Sequence, residues 1–300
     1  MGRMMRGRLA RAMVLAAVFA GTASAESITM TGNFPAPYRE ASFQRRIAID
    51  RMSGVDGASL GFALERAIGA SGYFTMVVGG APAEASLAGT VSTEISERRV
   101  QQTRDQCTQR EGDKCVKNEQ VQVTCNYRVI DLIADLRLAD LRDGRITYST
   151  RKNRRNEVTR CPGEGSPQPA EGTIRSMVDD IARETANDIT PFTKTYVMRF
   201  YESRDGLDKE TGARFKDAIR QTQRDMAGGC AAIAALDAAV PQFALAYDAG
   251  LCAEGRGDYA AAQALYQRAA SLRPRDTSDF MAGIDRTRRL IQRAEDDARR

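Results

Sequence analysis

Residues 242–274, QFALAYDAGLCAEGRGDYAAAQALYQRAASLRP, hold the most specific pattern in the chain. They read as two amphipathic runs broken at Gly255–Gly257, with Pro274 closing the second. Glycine between periodic segments and proline after them end helices, because one is entropically costly inside a helix and the other cannot donate the helical N–H. Small residues recur where two helices would approach closely: Gly250 on the first, Ala262 and Ala269 on the second. Tyr266 follows Ala262 by four positions and Leu272 follows Ala269 by three, so one side carries a continuous apolar stripe.

Six of these positions resemble a tetratricopeptide repeat: Gly250, the Gly-Asp-Tyr turn at 257–259, Ala262, Tyr266, Ala269 and Pro274. Ala246 and Ala249 stand where that family has its early tryptophan and leucine. The resemblance implies protein binding. It assigns Tyr247, Leu251 and Glu254, at i, i+4 and i+7, to the ligand-holding concave face; the alternative is that a neighbouring helix covers them. A stack generally needs at least three units to bury its faces. Residues 208–239 are therefore read as a degenerate earlier unit, with Ala232 and Ala235 placed 34 residues before Tyr266 and Ala269, and residues 277–298 as a capping helix with an Asp285/Arg289 pair.

Upstream the periodicity changes. RRIAID (45–50) alternates as a short strand, Asp56 or Ser59 is available to cap a helix carrying Leu60, Ala63, Leu64, Ala67 and Ile68, and YFTMVV (73–78) reads as a buried strand. Leu87, Gly89, Val91, Thr93 and Ile95 share one strand face, residues 104–118 read as a loop or hairpin end, and Val121 to Val129 resume the alternation. After Ile130 the phase slips by one, which predicts a β-bulge. Asp143-Gly144 marks a hairpin turn before Ile146 and Tyr148. A loop over 161–171 precedes a helix from Ile174 to Ile189 capped by Thr173 and stopped at Pro191, and Tyr196, Met198 and Phe200 alternate in a last strand. Everything after Leu207 reads as helical, with breaks near Gly228-Gly229, Pro241, Gly255–Gly257 and Pro274. The expected class is α+β, an α/β domain with a mixed or antiparallel sheet and two packed helices, followed by a helical hairpin region. The expected division is 1–25, 26–204 and 205–300.

The segment DGASLGFALERAIGASGYFTMV followed by long strands closing at LRDGRITYS is similar in element order to the periplasmic domain of the curli secretion-channel (CsgG) family and to the amino-terminal domain of TolB. That resemblance implies an accessory or oligomeric subunit of an outer-membrane secretion or assembly system.

Arg3, Arg6, Arg8 and Arg11 precede an apolar run from Ala12 to Ala20 that ends in Ala23-Ser24-Ala25. The pattern predicts a secretory leader cut between Ala25 and Glu26, a periplasmic or secreted address, and no membrane span or lipid anchor after the cut. The whole chain has 44 Lys+Arg against 39 Asp+Glu; loss of the four leader arginines leaves 40 against 39, so no general affinity for nucleic acid is expected.

Six cysteines in an exported chain without histidine or a CxxC pair point to disulfides rather than metal. Turn positions select the pairing. The midpoint of Cys107 and Cys115 falls in Glu111-Gly112-Asp113, that of Cys125 and Cys161 on Asp143, and that of Cys230 and Cys252 on Pro241. Without histidine no Ser-His-Asp or Cys-His arrangement can be built, and neither GxxxxGK[ST] nor GxGxxG occurs, so no catalytic residue and no cofactor is expected. Asp131, Asp135 and Asp140 are read as solvated strand carboxylates. Arg151–Arg155 with Arg98-Arg99 either contact an anionic envelope polymer or guard an edge strand. Together these features predict a non-catalytic adaptor with envelope protein partners, with homo-oligomerisation as an open alternative and an enzyme of unrecognised type as the remaining one.

Overall fold

The computed structural model describes residues 26–78, 81–165, 169–273, 275 and 278–300. The expected leader and Pro274 lie outside the described residues. The architecture is mixed α+β. Strand β1 (Ser27–Phe34) is followed by a 3-10 turn at Arg39–Phe43, β2 (Arg46–Ser53), α1 (Gly57–Ala70) and β3 (Thr75–Val77). Two strands of 27 residues each, β4 (Ala85–Glu111) and β5 (Lys114–Asp140), then form a hairpin continued by β6 (Ile146–Arg160). The remaining elements are α2 (Ala170–Ile189), β7 (Phe192–Arg199), α3 (Lys209–Thr222), α4 (Met226–Ala239), α5 (Phe243–Gly255), α6 (Tyr259–Leu272) and α7 (Ser278–Arg299).

The main sheet has the order β3-β2-β4-β5-β6, parallel at the two β2 pairs and antiparallel elsewhere. Side chains alternate along a strand, so Leu87, Val91, Ile130, Leu132, Ala134, Leu136 and Leu138 all face α1 and α2. Their partners are Leu60, Leu64 and Ile68 from α1, and Met177, Val178 and Ile181 from α2. No bulge interrupts β5 near Ile130: its ladder to β4 runs unshifted from Asn126 to Asp140. The apolar phase changes because the covered face changes. Even-numbered residues pack on the helices in the lower half, whereas Val121, Val123 and Cys125 turn to the opposite face above it.

Several expected boundaries move. Of the two readings of 104–118, a loop or a hairpin end, the structure has the hairpin end: both strands continue to a turn at Gly112, whose φ is 60°. Helix α2 begins at Ala170 behind Pro169, which removes Thr173 as its cap. Asp56 precedes α1 but makes no capping bond; its carboxylate accepts from the Thr93 hydroxyl at 2.5 Å instead. YFTMVV contributes only three strand residues, at a sheet edge rather than in the interior.

Strand β1 pairs with β7 in a separate two-stranded ribbon. Its Ile28 and Met30 enter a second core with Phe200, Phe215, Ile219, Leu245, Leu251, Tyr266 and Phe280. The second core thus draws on both ends of the described chain, and a cut at residue 204 separates β1 and β7 from the helices they pack on.

Within that core, α4 and α6 are both 14 residues long and start 33 positions apart. Each is capped by an aspartate, Asp225 accepting from the Gly228 N–H and Asp258 from the Ala261 N–H. Gly229, Ile233 and Leu236 are buried as Ala262, Tyr266 and Ala269 are, again 33 positions on. The offset is therefore 33, not 34; Ala235 is exposed. Gly228-Gly229 does not break a helix either. The break is at 223–225, and a Cβ on Gly229 would lie 2.6–2.8 Å from Thr222 and the Ala218 carbonyl, so the glycine lets α4 lie directly against α3.

Candidate functional site

The three disulfides join Cys107 to Cys115, Cys125 to Cys161 and Cys230 to Cys252, with Cα separations of 5.8, 4.2 and 5.5 Å. Cys125 and Cys161 continue the β5–β6 register directly past Asn126↔Arg160. Cys107 and Cys115 lie where the β4–β5 ladder shifts, between Cys107 and Arg110. Cys230 and Cys252 tie α4 to α5.

Two of these bridges bound the most exposed element of the molecule. Strand β6 ends its pairing at Asn126, so residues 101–125 of the β4–β5 hairpin continue beyond the sheet as a two-stranded arm. Each strand adds about 3.4 Å per residue, giving the arm a reach of roughly 35–40 Å. The Cys125–Cys161 bridge closes its base and Cys107–Cys115 its tip. Arg104 pairs with Glu164 of the segment after β6; closer to the base, Gln101 donates to Thr124 at 2.8 Å and Gln122 to Thr103 at 2.7 Å, both within the arm. One face carries the half-buried Val121 and Val123 near the base; the rest of the arm is largely polar, with Val116 at the tip 49 % exposed. The arm buries almost nothing against the rest of the fold.

Tyr247, Leu251 and Glu254 do not line an open groove. They are 2, 0 and 3 % exposed, which corrects their assignment to a binding face. Helix α7 covers them: the Tyr247 ring lies 5.4 Å from Phe280, and Arg286 donates to Glu254 from Nε at 2.5 Å and Nη2 at 2.7 Å. Glu254 also accepts from the Tyr196 hydroxyl at 2.7 Å and the Tyr266 hydroxyl at 2.6 Å. A bidentate guanidinium and two phenols satisfy the buried carboxylate. Burial and then the neighbouring carboxylate push both phenols above the usual tyrosine range. For Arg286 burial opposes the charge, but the hydrogen bond to Glu254 prevails and raises its pKa. Tyr266 fits this site because Gly250 and Gly283 flank its ring; a Cβ on either would come within 2.8 Å of it.

The basic run on β6 lies on a sheet edge and is largely charge-compensated. Arg151 binds Asp135, and Arg155 binds Asp131 and Glu157, on the face away from the helices. Lys152 turns inward to Glu184 at 2.8 Å and Asp188 at 2.5 Å, and Arg154 also reaches Glu184. Burial works against the Lys152 charge, and the two carboxylates outweigh it and raise its pKa. Asp140 is buried, accepting from Arg142 and from Gln44 at 3.0 Å, and the Arg142 hydrogen bonds hold its carboxyl well below the usual range. Asp131, Asp135 and Asp140 thus serve three separate ion pairs.

Among the described residues no group of three or more His, Cys, Asp or Glu could hold a metal ion, and no helix is long and apolar enough to cross a membrane. No protein-family profile matches the chain, and no curated protein does. Solved structures similar to it include a variant PelC dodecamer from Paraburkholderia phytofirmans, at 14% identity over 55% of this chain and 99% of that one, TM-score 0.27. A minor lipoprotein from Acinetobacter baumannii is 13% identical over 48% of this chain and 91% of that one, TM-score 0.26. A putative lipoprotein from Caulobacter crescentus is 17% identical over 51% and 89%, TM-score 0.26.

Proposed function

We propose that this chain is an exported, non-catalytic adaptor of the cell envelope that engages a protein partner through the disulfide-braced arm at residues 101–125. The observation that carries the reading is the arm itself. A two-stranded ribbon is marginally stable alone in water, and this one is closed at base and tip although it contributes almost nothing to either core. A braced, projecting ribbon is a contact element, and its largely polar outer part suits a protein surface rather than lipid. The paired helices α3/α4 and α5/α6, with α4 and α6 starting 33 residues apart, make a tetratricopeptide-like scaffold whose inner face is filled by α7.

A photo-crosslinking residue in place of Val116, introduced in the intact exporting cell, tests this. A single crosslinked species of defined mass, competed away by excess parent chain but not by a chain in which residues 103–122 are replaced by a two-residue turn, is the expected result. Crosslinking to a second copy of the same chain would make it an oligomeric subunit instead. Absence of any crosslink from Val116 and its neighbours would overturn the role of the arm.

A further inference from the structure

The β1–β7 ribbon presents an unusual face to α7. Along β7 the even-numbered residues are Phe192, Lys194, Tyr196 and Met198, a lysine inside an otherwise apolar row. Directly opposite Lys194 in the ribbon stands Gly32. A side chain there would meet Leu290 of α7 at 2.7 Å, so the glycine lets α7 come close while leaving the neighbouring space unfilled. The result is a cleft of about 360 Å³ between the ribbon and α7. Its apolar wall is Phe34 stacked on Phe192 at 5.5 Å, with Tyr196 and Met198 beside them.

The charges around this wall are unbalanced. Asp285 is the one acid lining the cleft, and it pairs with Arg288 rather than with Arg289 as the sequence suggested. Arg289 is left lying 5.3 Å over the Phe34 ring with no carboxylate partner among the described residues, and Lys194 has none either. Arg286 closes the inner end, but Nε and Nη2 are committed to Glu254.

From this juxtaposition we infer that the cleft binds a hydrophobic carboxylate: an aromatic or branched apolar body against Phe192 and Tyr196, and one carboxylate between Lys194 and Arg289. The volume falls in the range of small-ligand sites, and an apolar wall with a few convergent charged groups is their usual composition. A free small acid and the carboxy-terminal residue of a peptide present the same chemistry. This site is separate from the arm, so it stands whether or not the arm engages a partner.

Calorimetric titration of the full chain with N-acetyl-phenylalanine, its primary amide, and a pentapeptide ending in phenylalanine with a free carboxylate tests it. At least one of the two acids is expected to bind, and the amide about tenfold or more weaker, the loss expected for a charged hydrogen bond. Lys194→Met and Arg289→Met are each expected to weaken the acid about tenfold. Both positions lie outside the Glu254 network, and an unchanged melting temperature checks that the fold is intact. Tighter binding of the peptide identifies a peptide terminus as the ligand; equal or weaker binding identifies a free acid. The proposal fails if neither acid binds up to about 10 mM, if acid and amide bind alike, or if both variants bind as the parent does.

Discussion

Asp248 lies in the middle of α5 with no exposed surface. One oxygen accepts from the Tyr201 N–H at 2.7 Å and the other has no partner. Burial pushes its carboxyl well above the ordinary range, with the Glu202 charge adding to the rise and the Tyr201 hydrogen bond opposing it. Below about pH 4 folded and unfolded chains both hold this proton. As pH rises the unfolded chain releases it first, so the folded state loses stability until the pH passes the raised folded pKa. Asp248→Asn is therefore expected to raise the melting temperature at pH 7 and to lose that advantage toward pH 4, read by paired thermal melts across pH. Glu254 is fully partnered, by Arg286, Tyr196 and Tyr266. Glu254→Ala leaves Arg286 buried without its counter-charge and is expected to cost about 3–5 kcal/mol in urea denaturation. Tyr247, Leu251 and Glu254 stood out in the sequence through the tetratricopeptide resemblance, at helical spacing. That spacing places them on one face of α5 but says nothing about what lies over the face.

At the scale of elements, the arm and the helical hairpins differ in what holds them. The helices bury their stripes, so the loss of Cys230–Cys252 is partly offset by packing around Ile233 and Leu245. The arm has no such reserve. Replacing Cys107 and Cys115 by serine is expected to speed amide exchange over residues 104–118 many-fold while leaving the global melting temperature nearly unchanged, because the tip opens locally. Removing Cys125–Cys161, which lies buried between β5 and β6, is expected to cost about 2–4 kcal/mol of global stability. Unchanged exchange at the tip would show that the ribbon holds itself together without its bridge. The register that pairs Cys125 with Cys161 was legible because a hairpin fixes its partners from the turn outward. The length of the arm was not: Gln, Thr, Arg and Asp at 101–110 carry no apolar alternation, and a solvated ladder is held by backbone bonds that composition does not record.

At the scale of the whole molecule, Ile28 and Met30 pack among α-helices more than 180 residues further along the chain. A fragment from residue 205 onward therefore lacks one wall of its core. It is expected to unfold with a shallow urea transition, whereas a fragment from residue 192 onward with residues 26–34 added as a peptide should unfold more sharply; a cooperative transition of the bare fragment would refute the shared core. Helix α7 also reaches the other core, where Asp296 is held by Arg39 and Arg300 stacks over Tyr73. The sequence by itself determined the local elements: strands where apolar residues alternate, helices where they recur every three or four, turns at Asp143-Gly144 and Gly257, and the cysteine pairs centred on Glu111–Asp113, Asp143 and Pro241. These follow from short-range geometry, which a chain carries in its residue order. Tertiary structure alone decided that β1 belongs with the carboxy-terminal helices, that α7 fills the face bearing Tyr247, and that Gly32 opposite Lys194 opens a cleft. Each depends on which surfaces meet at long range, and an apolar or small side chain is compatible with many such meetings until the packing selects one.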